Sequence, residues 1–106
     1  MARVIVSSSA LHTQLGAHLG AETVEFRVGG QRVSLWSEEF TNSLPCETMW
    51  TGTAKLPLEK LVAALAVVSD QPVTLDLHAT GPCKLYASKR VRVAGDFWNM
   101  HVEYDL

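Results

Sequence analysis

SSSALHTQLGAHLGAETVEFRVGGQRVSLW, residues 7–36, reads as a helix followed by two strands, and LPLEKLVAALAVVSDQPVTLDLHATGPCKLYAS, residues 56–88, repeats that order about fifty residues later. In the first stretch the hydroxyls of Ser7, Ser8 and Ser9 can accept backbone N–H bonds, so a helix is expected from Ser8 or Ser9. Leu11, Leu15, His18 and Leu19 share one helical stripe, and Gly20 is placed to end it. Val24, Phe26 and Val28 then alternate with Glu25 and Arg27, Gly29 and Gly30 turn the chain, and Val33 and Leu35 return on one face. This is a hairpin with one apolar side.

The second stretch follows the same logic. Pro57 stands at a first helical position, where its missing N–H costs nothing, and Leu58, Leu61, Val62 and Leu65 form the stripe. Asp70 to Pro72 break the helix, Val73, Leu75 and Leu77 alternate with Thr74, Asp76 and His78, and ATGP turns the chain into CKLYA. Around these stretches RVIV at 3–6 has strand composition, and Phe40 and Leu44 fit a short edge strand that Pro45 ends. Residues 46–56, CETMWTGTAKL, read as extended; RVRVAGDFW leads into NMHVEYDL, where Met100, Val102, Tyr104 and Leu106 alternate with polar residues.

Two pseudo-repeats, about 1–45 and 46–106, therefore share the order strand, helix, strand, strand, strand. Leu15 and Leu19 align with Leu61 and Leu65, Val24 with Val73, and Leu35 and Trp36 with Leu85 and Tyr86. Each helix can bury its stripe only against a sheet. The expected fold is a single α+β domain over 1–106, with two helices packed on one face of antiparallel sheets.

Composition narrows the function classes. A chain of 106 residues, 47% hydrophobic and 19% charged, has room for one folded core. Its net charge of -2 supplies no global attraction to phosphate or anionic lipid, so nucleic-acid binding has to be local. The run LVAALAVV at 61–68 is too short to span a bilayer, and MARVIV lacks the features of a signal peptide. A cytoplasmic location without a membrane partner is expected, with Cys46 and Cys83 as buried, reduced thiols.

The doubled order, with VIVSSSALHTQLGAHL opening one half and KLPLEKLVAAL followed by PVTLDLH in the other, resembles one domain of the DNA sliding clamps. That processivity-factor family includes the bacterial polymerase III β subunit. The resemblance covers nearly the whole chain and rests on element order and hydrophobic pattern. It implies a duplicated β-α-β-β-β unit and a ring of six such domains around duplex DNA, helices inside, with client peptides docking in surface pockets. A chain with one domain has to self-associate to close such a ring, in a role tied to DNA replication.

Family inward helices are basic, because a lining that tracks phosphate without reading bases works by electrostatics. Here the first helix has His12 and His18 but no Lys or Arg, and the second sets Lys60 against Glu59. The alternative function is thus a stand-alone protein-binding module that uses the clamp fold without DNA. A small thiol enzyme or hydrolase is a third class, disfavoured because neither Cys lies in a nucleophile signature.

Candidate nucleic-acid contacts are Lys89, Arg90 and Arg92 of the basic run, with Lys84 nearby and Lys60 on the second helix; the competing and favoured reading of that run is a solvated turn and an edge strand protected by charge. His78 beside Asp76 and His101 beside Glu103 lack metal-site spacing, so no metal, cofactor or catalytic residue is expected. Trp50, Phe97 and Trp98 are candidate interface residues. Phe97 and Trp98 are adjacent and in a strand face opposite sides, so one of them is expected outside the core. Self-association is the expected mode of partnership, followed by a client protein or peptide, and then DNA.

Overall fold

β-branched and aromatic residues at alternating positions dictate the strands, and the structure, a computed structural model, describes residues 2–38 and 40–106. The order is β1 (Ala2–Ser7), α1 (Ser8–Leu15), a short 3-10 turn (Gly16–His18), β2 (Thr23–Gly29), β3 (Arg32–Trp36), β4 (Thr41–Pro45) and β5 (Glu47–Thr48). It continues with β6 (Gly52–Pro57), α2 (Leu58–Ala66), β7 (Pro72–Leu77), β8 (Lys84–Val93) and β9 (Asp96–Asp105). The fold is α+β, with two helices and two antiparallel sheets, ordered β5-β1-β7-β8-β9 and β4-β3-β2-β6.

Each sheet borrows a strand across the chain. β1 pairs with β7, Val4 opposite Leu75, and β6 pairs with β2, Ala54 opposite Phe26. Matching backbone bonds tie the helix starts to the opposite half: Ser8 N–H donates to Gln71 C=O at 2.9 Å, and Leu58 N–H to Glu22 C=O at 3.0 Å. One core results, in which Leu11 and Leu15 of α1 and Leu58, Leu61 and Leu65 of α2 join Val4, Phe26, Leu35, Leu75 and Leu85 of the sheets.

Ser7 caps α1 by accepting from Ala10 N–H at 3.3 Å. Ser8 turns inward, donating to Ser69 C=O and accepting from Gln71 N–H. The helix is shorter than its apolar stripe: it ends at Leu15, His18 is buried on the following turn, and Leu19 is 71% exposed. Leu11 and Leu15 of α1 are thus buried, as Leu61 and Leu65 of α2 are, and Leu19, expected to align with Leu65, lies outside the core. Gly20, at φ 101, takes the left-handed conformation that redirects the chain. Pro57 is the N-cap of α2 and still paired in β6, since its ψ of 123° is extended.

The expected hairpins form, with the β2–β3 turn one residue later than the glycine pair suggests. Gly30 and Gln31, both at φ 61, are its central residues. Gln31 is held there by its own amide, which donates to Thr48 C=O at 2.6 Å and accepts from Thr48 N–H at 3.2 Å. That pair seats the two-residue strand β5 against β1 and splits the expected extended run 46–56 in two. Both cysteines are buried and free.

The radius of gyration is 14.0 Å, against about 13 Å for a compact chain of this length. The longest dimension is 48 Å, against 30 and 24 Å for the others. The β8–β9 hairpin is exposed along most of its outer half.

Candidate association site

β8 and β9 pair without interruption from Lys84 opposite Asp105 to Val93 opposite Asp96. β7 pairs with β8 only along Lys84 to Tyr86. Gln71 extends that contact by one step, its amide donating to Ser88 C=O at 2.8 Å and accepting from Ser88 N–H at 2.9 Å. Past Ser88, among the described residues, no further strand pairs with either edge. The ribbon closes on Ala94 and Gly95, at φ 51 and 88, a two-residue turn whose twist suits a hairpin.

Directly opposed residues share a face, so the register assigns the arm two different surfaces. The inner face leaves the core as Leu85 with Tyr104 and Ala87 with Val102, then continues as Lys89 with Met100, Val91 with Trp98, and Val93 with Asp96. The core covers only its root: Leu85 is fully buried, whereas Met100, Val93 and Trp98 are 52%, 56% and 60% exposed. Val67, just past α2, is exposed beside a small cavity of about 180 Å³ that Lys89 and Val102 also line at the root. The outer face carries Ser88 with His101, Arg90 with Asn99, and Arg92 with Phe97. There the Arg90 guanidinium lies 4.0 Å from the Phe97 ring centre and that of Arg92 5.7 Å, so the two cations flank one aromatic ring.

The arm brings together Lys89, Arg90, Arg92, Phe97 and Trp98. Phe97 and Trp98 do face opposite sides, but both lie outside the core. On the inner face the core covers only the root, where Leu85 and Ala87 are buried, and Trp98 lies beyond it. Lys84 stands at the root, where its ammonium donates to Glu103 and lies 3.8 Å from Asp105. Its pKa is raised, chiefly by the hydrogen bond to Glu103. Glu103 thus engages Lys84, the residue diagonal to it across the ladder, rather than His101 on its own strand. Lys60 is on the exposed side of α2, in another part of the fold.

Trp50 is half-buried in a separate groove with Arg3, Ile5, Gln31 and the fully exposed Met49. A Cβ on Gly52 would stand 2.3 Å from its ring, so only glycine admits that placement. Asp76 and His78 come within 3.6 Å, with Asp76 buried and its Oδ1 without a hydrogen bond. Cys83 Sγ accepts from the backbone N–H of His78 at 3.4 Å, and its thiol lies 3.6 Å from the His78 carbonyl, so its hydrogen bonds to that residue are to the backbone. Among the described residues no three His, Cys, Asp or Glu side chains gather to hold a metal ion, and no helix is long and apolar enough to cross a membrane.

The parts of the site missed in the sequence are Val91, Val93 and Met100. Their alternation reads as ordinary core strand; the structure adds that β8 and β9 are ten residues each, against about five or six for a typical strand. No protein-family model matches the chain, and no curated protein matches it in sequence.

Proposed function

We propose that this chain is a non-enzymatic association module of clamp-like organisation, a self-associating scaffold whose partner surface is protein rather than DNA. The clamp-like part is supported by the exchange of β1 and β6 between the two sheets and by the matching ties of Ser8 to Gln71 and Leu58 to Glu22. The preference for protein is supported by the helices, whose exposed positions are Ser9, His12 and Thr13 on α1 and Glu59, Lys60, Ala63 and Ala66 on α2. One lysine beside one glutamate is too little charge to track a phosphate backbone.

The observation that carries the proposal is the uncovered apolar face of the β8–β9 arm. Such a face costs solubility unless a partner covers it. The test is the mass of the full chain by light scattering over a range of concentrations, at low and high salt, beside retention of a labelled duplex. A mass above one chain that grows with concentration and survives high salt, without duplex retention, is expected. A single-chain mass throughout, or duplex retention that falls steeply with salt, overturns the proposal.

A further inference from the structure

We infer that the inner face of the β8–β9 arm docks on the same face of a second copy of this chain, the two arms related by a two-fold axis at the Val91–Trp98 rung. This rests on the chain being a self-associating module and specifies the surface and the symmetry.

The occupant follows from the charge pattern of the face. Lys89 with Met100 lies one step towards the root from Val91–Trp98, and Val93 with Asp96 lies one step towards the tip. Those three rungs therefore carry one cation at the root end, one anion at the tip end and apolar groups between. A two-fold axis through the middle rung turns each root onto the other's tip, bringing Lys89 of one copy over the rung that holds Asp96 of its mate. Both charges are answered while Val91 and Trp98 meet their equivalents, and Val93 of each copy lies over the rung that holds Met100 of the other. An isologous contact demands such self-complementarity, and a different protein does not.

Arg90 and Arg92, on the opposite face around Phe97, stay in water and oppose further stacking of ribbons. From Lys89 to Val93 the arm is roughly 17 Å long, so pairing two faces covers on the order of 1,000 Å², at the low end for specific interfaces. The dimer is accordingly reversible and weak.

The experiment is sedimentation equilibrium of the full chain as wild type, Trp98→Ala, Lys89→Asp, Asp96→Lys and the double exchange, with thermal unfolding of each beside it. Trp98, Lys89 and Asp96 are all exposed within one chain, so folding is retained. Loss of a central aromatic anchor weakens the dimer about thirtyfold, and each single reversal weakens it about fivefold by setting like charges together. The double exchange, which restores opposite charges, returns it to within about twofold of wild type.

Higher mass that is indifferent to Trp98→Ala and to the reversals overturns this interface while leaving self-association standing. A single-chain mass for the wild type overturns both. A single-chain mass with duplex binding lost in Arg90→Ala and Arg92→Ala assigns the arm to nucleic acid and likewise overturns the inference.

Discussion

His18 Nε2 lies 2.8 Å from Asn42 Oδ1, and the amide of Asn42 donates to the Gln14 carbonyl at 2.8 Å. Because the Asn42 oxygen accepts, Nε2 carries the proton in the neutral ring, and Nδ1, 2.6 Å from Ser37 Oγ, accepts from that hydroxyl. A half-buried polar chain centred on the buried His18 thus joins the end of α1 to the edge strand β4 and to the segment before it. Asn42→Ala leaves the imidazole N–H and the Gln14 carbonyl without partners, and a loss of about 2–3 kcal/mol is expected in denaturant unfolding.

Trp50 occupies space over the backbone of Gly52 that a side chain would fill. Gly52→Ala is expected to swing the ring into water, with a red-shifted tryptophan emission and a stability loss of about 1–2 kcal/mol. Trp50→Phe in the same background abolishes the shift, which identifies the responsible ring among the tryptophans.

Cys46 has its thiol pKa pushed above the ordinary range by burial, with Arg32 partly opposing the shift. A raised pKa means that the folded chain holds the proton more tightly than the unfolded chain, so this group's contribution to stability is full below the ordinary thiol pKa and is lost as pH rises through the folded one. Alkylation of Cys46 in the native protein is therefore expected to lag behind a free thiol at neutral pH and to accelerate only on the alkaline side of the ordinary thiol value. Mass spectrometry after timed iodoacetamide exposure, with the unfolded chain as reference, checks this.

Ala94 holds φ 51 at the tip of the arm, a conformation in which its Cβ is crowded. Ala94→Asn, followed by the existing Gly95, supplies the preferred pair for this turn and is expected to stabilise the hairpin by about 0.5–1 kcal/mol. Slower amide exchange on both sides of the turn is the readout. Gln31→Gly, also at a left-handed position, is expected to act in the opposite direction, because it removes the amide that holds Thr48.

The strands and both helices were legible because their signals are local. Val24, Phe26 and Val28, and likewise Val73, Leu75 and Leu77, alternate as a half-covered strand must, and all six are buried. The α1 stripe ends earlier than its period implies, since Leu19 continues the helical period but follows a 3-10 turn and is exposed. The candidate site was legible in its residues and not in its setting. Lys89, Arg90, Arg92, Phe97 and Trp98 stand out by residue type, but whether an apolar strand residue meets a core depends on how far the layer packed on that face extends.

By itself, the sequence determined the α+β class, the order of the helices and the longer strands, and which side of each is apolar, because these follow from side-chain period and from turn residues at fixed spacing. Only the tertiary structure decided that β1 pairs with β7 and β6 with β2, since strand pairing between distant segments leaves no local trace. It also decided that β7 pairs no further along β8 than Tyr86 while β8 continues to Val93. Beyond that point β8 and β9 pair only with each other and the core no longer covers their inner face, so the pattern of a core strand stands exposed on an arm.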